Sequence, residues 1–282
     1  MTVVLQYLLP HRLLCRLVYA LTRSEVRWLK NLLIAAFMRG YAPEMADALE
    51  PEPLNYRSFN AFFTRALRAG ARAVEAEPQR IVSPCDGTLS VALAAQGGEL
   101  LQAKSHRYTL QALLAAESDW VQRLSGGLYA TIYLAPYNYH RIHMPLSGRL
   151  SAAWHVPGRS FSVNARTVAR VPGLFARNER VICAFEGERG PFAVVLVGAL
   201  FVASMGTVWH GEVTPARTHD GPHRLVPRAG VDLWQIRGAE LGMFNMGSTV
   251  IVLLPPAAAR WDAALQPGAR LQVGQGLGTL TV

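Results

Sequence analysis

Three short stretches of the chain carry side chains able to move protons or attack a carbonyl. In Ser83-Pro-Cys-Asp-Gly-Thr the carboxylate is Asp86, and Asp86-Gly87 reads first as a turn in which glycine supplies positive φ. In Tyr139-His-Arg-Ile-His-Met-Pro145 two imidazoles, His140 and His143, stand three apart, after Pro136 and Asn138. On a strand they would face opposite sides; in a turn they can share one. Such a pair suits metal ligation or acid–base work near neutral pH. No third or fourth ligand has metal-motif spacing, which favours acid–base chemistry. In Phe244-Asn-Met-Gly-Ser-Thr-Val250, Gly247 and Ser248 lead into an apolar run. Alone, Gly-Ser-Thr is a common strand edge, and it is not the Gly-x-Ser-x-Gly elbow of hydrolases. Asp86, His143 and Ser248 can still form a nucleophilic triad, since triads are defined by geometry and not by chain order.

These residues need a scaffold, and the composition supplies one. Of 282 residues, 51% are hydrophobic and 17% charged, enough for a substantial core and against disorder. Cys15, Cys85 and Cys183 are scattered, so neither a disulfide framework nor a cysteine metal site is expected. A net charge of +9 suits an anionic partner, nucleic acid or acidic lipid. The C-terminal part shows no basic-aromatic stripe, which argues against nucleic acid.

Residues 11–40 read as helical, with Pro10 at a start and Ser24 as N-cap of a second helix. At about 100° per residue, Arg12, Arg16, Arg23, Arg27 and Lys30 fall within an arc of about 60°. That is a basic amphipathic segment of the kind that lies in a membrane interface. No uncharged run there reaches the roughly 18 residues of a span. Pro191 to Val208 is uncharged, and its glycines mark it as two buried strands or one bent strand. Residues 42–55 form an acidic, proline-rich connector, and a short aromatic helix is expected over 59–67. Beyond residue 80 strands dominate. Leu128 to Leu134 alternates as a half-buried strand should, and Val250 to Leu254 reads as fully buried. Residues 211–230 read as a mobile polar loop, and Trp154 to Phe161 as an aromatic loop able to reach lipid. The glycine turns near residues 83–88 and 266–278 resemble those of barrel-sandwich carrier domains. The fold class expected is α+β: N-terminal amphipathic helices, then a mostly antiparallel β domain with barrel-sandwich-like elements.

Further stretches make the chain similar to the bacterial phosphatidylserine decarboxylases over nearly its whole length. They are Ser58-Phe-Asn-Ala-Phe-Phe-Thr-Arg-Ala-Leu-Arg68, Leu101-Gln-Ala-Lys104, Tyr139 to Pro145, Val156-Pro-Gly158 with Phe161-Ser-Val-Asn164, Asn178-Glu-Arg-Val-Ile-Cys183 and Met246-Gly-Ser-Thr-Val-Ile251. The family usually has leucine where this chain has Met246, a nearly volume-conserving change. Cys85 stands where a small residue is common.

The resemblance implies an inactive precursor. His143, oriented by Asp86, takes the proton from Ser248, whose hydroxyl attacks the Gly247 carbonyl. The chain splits into residues 1–247 and 248–282, and residue 248 becomes a pyruvoyl group, the only cofactor implied, with no metal. The substrate amine forms a Schiff base there, phosphatidylserine loses CO₂, and His140 returns a proton or positions the carboxylate. The resemblance further implies residues 1–55 as membrane-association region and linker, and 56–282 as catalytic domain. It places the protein peripherally on the cytoplasmic side of the cell membrane, at a surface with anionic lipid. The two chains pair as a heterodimer that associates further into a homodimer, and nucleic acid is no partner.

Overall fold

The computed structural model describes residues 3–103, 106–115, 118–200, 202, 204–213 and 221–281, with residues 4, 5, 8, 12 and 118 described in backbone only. Lys104 and the middle of the 211–230 segment, residues 214–220, therefore lie outside the described residues.

Helices α1 (Val3–Leu8), α2 (His11–Thr22) and α3 (Arg27–Tyr41) open the chain. Pro10 caps α2, as its fixed φ allows. Val26, not Ser24, is the N-cap of α3; the Ser24 hydroxyl accepts from the Val26 N–H at 3.4 Å instead. α4 (Phe59–Phe63) is capped by the Ser58 hydroxyl at the Ala61 N–H and stops before the expected residue 67. The chain beyond it extends to bond the acidic connector, through Leu49 N–H to Ala66 O and Arg68 N–H to Asp47 O. α3 docks on α4 through a cluster of Ile34, Phe37, Phe59, Phe62 and Phe63.

The one-sided cationic stripe is not kept. Arg16 and Arg27 are exposed, but Arg23 pairs with Glu212, and Lys30 is buried with its ammonium 2.7 Å from the Leu54 carbonyl. The Arg12 side chain is outside the described residues. Apolar residues face outward instead: Leu13, Leu17 and Leu21 are 55%, 52% and 46% exposed, one per turn along α2. Val26, Trp28 and Leu32 are exposed nearby in sequence. No helix among the described residues is long and apolar enough to cross a membrane.

Eighteen strands follow among the described residues. They are β1 (Arg80–Val82), β2 (Gly87–Ala94), β3 (Glu99–Ala103), β4 (His106–Thr109), β5 (Leu128–Leu134) and β6 (Arg141–His143). Next come β7 (Gly148–Val156), β8 (Arg180–Gly187), β9 (Gly190–Gly198), β10 (Met205–Thr207), β11 (Gly211–Val213) and β12 (His223–Arg224). The last are β13 (Trp234–Gln235), β14 (Glu240–Phe244), β15 (Ser248–Leu254), β16 (Ala259–Trp261), β17 (Arg270–Leu271) and β18 (Gly276–Leu280).

A nine-stranded antiparallel sheet runs β12-β7-β8-β9-β15-β5-β2-β17, with β13 also on β7. A four-stranded sheet runs β11-β10-β14-β6, a three-stranded one β1-β18-β16, and β3 pairs β4. The fold is α+β with antiparallel sheets, and no sheet closes into a barrel among the described residues. β15 is buried at every position, which accounts for its unbroken apolar run. Tyr129 and Thr131 of β5 are buried as well, the Tyr129 hydroxyl accepting the Leu101 N–H of β3, so the strand is not half-buried. Pro191 to Val208 contributes two strands, β9 and β10. Trp154 sits inside β7 at 5% exposure and Phe161 is fully buried, so the aromatic side chains of that stretch are core. The 211–230 segment holds β11 and β12 and is not one unpaired loop.

Candidate active site

Ser248 opens β15 where the chain leaves the four-stranded sheet for the nine-stranded one. Its neighbours are Leu134 on β5 and Gly198 on β9, and its hydroxyl is fully buried with no hydrogen-bond partner. Upstream, the Phe244 N–H donates to the His140 carbonyl at 3.0 Å and the Asn245 N–H to the Ser204 carbonyl at 3.1 Å. Met246 and the half-buried Gly247 thus span two fixed points in different sheets.

His140 lies in the turn that leaves Leu134, the strand partner of Ser248. Its ring stacks on Phe63 at 4.2 Å and is fully buried. Nε2 is 3.1 Å from the Ala135 carbonyl and 3.3 Å from that of Pro136. Carbonyls only accept, so Nε2 carries the hydrogen and Nδ1 presents a bare lone pair, which has no partner. Burial, with the Arg65 charge adding to it, pulls this imidazole down to about 3.

His143 is held differently. Its Nδ1 is 2.8 Å from the Gly238 carbonyl, which fixes the Nδ1–H tautomer, and Nε2 accepts from the Tyr139 hydroxyl at 3.1 Å. Burial lowers its pKa, opposed by the Gly238 hydrogen bond and the charges of Glu240 and Asp86. Gly238 has φ +82, and a Cβ there would stand 2.6 Å from Val74, so only glycine brings this carbonyl to the ring.

Asp86 takes both oxygens to Arg72, at 3.1 Å from Nε and 2.7 Å from Nη2, and accepts the Val273 N–H at 2.9 Å. Its loop lies against β6, where the His143 N–H donates to the Pro84 carbonyl at 2.7 Å. Gly87 has no positive φ; it opens β2, and a Cβ would come 2.5 Å from the Tyr133 carbonyl. Close approach of β5, not a turn, accounts for this glycine. Asp86, Arg72, Arg65 and Tyr139 line a cavity of about 490 Å³.

His140 lies at the junction, its carbonyl accepting the Phe244 N–H, whereas His143 and the Asp86 loop meet further along β6, where His143 stands opposite Glu240. No hydrogen bond joins Asp86 to His143, and none joins either histidine to Ser248. No three His, Cys, Asp or Glu side chains form a metal-holding group among the described residues. Arg72, Phe63, Tyr139 and the Gly238 carbonyl were not assigned from sequence. Only Tyr139 and Phe63 had a signal, since both fall inside the family-like runs.

A family profile described as phosphatidylserine decarboxylase matches residues 59–279, and a second, described as PSD, matches residues 1–42. The chain is 48% identical to a protein of Methylococcus capsulatus over 275 residues, 98% of this chain and 95% of that one. It is 47% identical to one of Ectopseudomonas mendocina over 273 residues, 97% and 96% of the two chains. A protein of Pseudomonas fluorescens Pf-5 is 46% identical over 276 residues, 98% and 96%. All three relatives are named phosphatidylserine decarboxylase proenzyme. With matches of this identity and extent, the chain belongs to the phosphatidylserine decarboxylase family.

Proposed function

We propose that this chain is a phosphatidylserine decarboxylase made as a precursor, which cuts itself between Gly247 and Ser248 and converts residue 248 into a pyruvoyl group. The observation that carries the reading is the state of Ser248: a sealed hydroxyl with no partner, beside the peptide that joins two sheets. The Thr131 and Thr249 hydroxyls are unpaired too, so it is the place of Ser248, first residue of β15 after the inter-sheet peptide, that sets it apart.

The hydroxyl oxygen bonds to the Gly247 carbonyl carbon as the C–N bond breaks, giving an ester. Loss of the Ser248 α-proton and of the Cβ–O bond frees a Gly247 carboxylate. Water then releases the nitrogen as ammonia. Two anchored sheets hold the reacting peptide, which favours attack geometry. The pyruvoyl group supplies an electron sink for the pair left by departing CO₂.

His143 is the proposed base for cleavage. Its tautomer leaves Nε2 as proton acceptor, and Asp86 acts on it as a nearby negative charge. His140 is proposed to handle the proton and carboxylate of the lipid during turnover. One observation favours the exchanged assignment: Tyr139 occupies Nε2 of His143, whereas Nδ1 of His140 is unoccupied.

After the cut, residues 248–282 stay in place, since β15 lies between β5 and β9 and β18 between β1 and β16. The exposed leucines of α2, with Trp28 and Leu32, support a seat at the membrane surface for residues 1–55, with residues 56–282 as catalytic domain. The test is a denaturing gel with the intact mass of the small chain. Two chains are expected, the smaller with a blocked N-terminus and lighter by one ammonia than a free serine end would make it. A single chain in active enzyme, or a free serine, overturns the reading.

A further inference from the structure

Three consecutive backbone amides, at Ser160, Phe161 and Ser162, are accepted by side chains rather than by a neighbouring strand. The Ser160 N–H goes to His11 Nδ1 at 3.1 Å and the Ser162 N–H to Gln6 Oε1 at 2.9 Å. The Phe161 N–H goes to Asn178 Oδ1 at 2.9 Å. Asn178 also donates, through one Nδ2 group, to the carbonyls of Phe161 and Gly198, both at 2.8 Å. Gly198 is the strand partner of Ser248. Three hydrogen bonds in series and one strand pairing thus link α1 and α2 to residue 248.

The outer end of this path is set firmly. His11 Nε2 lies 2.7 Å from the Gln6 carbonyl, which only accepts, so the ring is neutral with Nδ1 free for Ser160. Gln6 and His11 are both buried, and Gln6 also donates to Thr167 at 3.3 Å. Tyr7 covers Phe161 at 4.9 Å between ring centres. The same α2 carries the exposed Leu13, Leu17 and Leu21. One face of this helical segment is apolar and uncovered, and the other grips a loop tied through Asn178 to the strand partner of residue 248.

We propose that Gln6 and His11 are a latch through which helices seated on lipid hold loop 159–162 and, through Asn178 and Gly198, the strand that pairs with residue 248. This rests on the reading that residue 248 carries the chemistry and that α1 and α2 meet the membrane. Gln6 and His11 are positioning residues: they touch the loop and not the lipid headgroup. A loop amide released from its acceptor exchanges with water and loosens the Asn178 support under Gly198, the partner of residue 248, and turnover falls although the cut is already made.

The experiment uses full-length wild type, Gln6→Ala, His11→Ala and His11→Asn, with vesicles containing phosphatidylserine. Asparagine keeps an acceptor oxygen in reach of the Ser160 N–H. Wild type should show slower amide exchange at residues 160 and 162 with vesicles than without. Gln6→Ala and His11→Ala should cut completely and sediment with vesicles, exchange faster at those amides, and lose about tenfold in kcat at saturating lipid. His11→Asn should recover to within about twofold of wild type, which a general packing defect would not allow. Unchanged exchange in both alanine variants, or faster exchange with wild-type kcat, overturns the latch. So does a failure of both alanine variants to cut while wild type cuts, because the helices would then act on maturation. Wild-type small-chain mass in the same preparation checks the pyruvoyl reading separately.

Discussion

The junction around Ser248 and the helices of residues 3–41 depart from the usual economy of folding in opposite directions. At the junction, polar atoms are buried without partners: the Ser248 hydroxyl and His140 Nδ1. In the helices, apolar side chains are uncovered: Leu13, Leu17, Leu21, Trp28 and Leu32. Buried polar groups normally find partners and large apolar side chains normally find cover. On the proposed reading, the first set serves a reaction and the second a surface. The two are joined, because α3 packs on α4, and Phe63 of α4 is the ring on which His140 stacks.

The sharpest break of that comparison is Ser248→Ala. It should leave a folded, single, full-length chain with no CO₂ release, since the substitution removes both nucleophile and cofactor source. Decarboxylase activity in this variant would sever the junction from the chemistry. Next are the histidines, where removing a proton-transfer group costs about 10²–10⁴ in rate. His143→Ala should remain uncut, whereas His140→Ala should cut at least in part and release CO₂ poorly. A gel beside a CO₂ assay on each variant decides it, and the opposite pattern exchanges the two roles.

The helices should respond in the other observable. Replacing Leu13, Leu17 and Leu21 together with serine should weaken vesicle binding by about 100-fold or more, at about 1.5–3 kcal/mol per buried leucine. Self-cleavage should persist. Deleting residues 1–40 is a blunter test, because it also uncovers Phe59, Phe62 and Phe63. Unchanged sedimentation of the triple variant would place the membrane contact elsewhere.

Acid should act on the junction. His140 is held to about 3 in the fold, against about 6.5 in an unfolded chain, and His143 is lowered too. Between those values the unfolded chain binds protons that the folded chain refuses. This contribution to stability is whole above about pH 6.5 and is lost as pH falls toward 3, on the order of a few kcal/mol for His140. Urea midpoints from pH 7.5 to 5 should fall, and His140→Gln should flatten the slope. An equal slope in that variant would remove His140 as the cause.

The candidate residues could be named from the sequence, whereas their connections could not. Asp86, His140, His143 and Ser248 stand out as candidates by type, while the roles given to them come from the family resemblance of the runs that hold them. The Arg72 clamp on Asp86 lies in Arg68-Ala-Gly-Ala-Arg72, which has no periodicity to announce a contact. The carbonyl that holds His143 is backbone, and its place depends on the φ of Gly238. Helical periodicity put the N-terminal cations on one side, yet it cannot say which side the protein covers. The buried Lys30 and the paired Arg23 follow from tertiary contacts with Leu54 and Glu212. β5 shows the same limit: its alternation marked a strand, and the alternation could not foretell that Leu101 of β3 would meet the Tyr129 face.

The smallest effect is expected at the residue that joins the two regions. Met246 packs against the main core and also against the Phe37–Phe63 cluster under α3. It precedes Gly247 on the two-residue span between the sheets, so its side chain sets how tightly that span is held. The thioether is unbranched and fills irregular gaps, and leucine has nearly the same volume. Met246→Leu should therefore change the cleavage rate by no more than about twofold. Met246→Ala leaves a cavity between two clusters and should slow cleavage more, while turnover by the fraction already cut stays near wild type. Time courses of the two-chain pattern from a purified, uncut precursor measure both. If Met246→Ala cuts as fast as wild type, packing at this joint does not position the peptide. The anchors at Phe244 and Ser248 would then suffice.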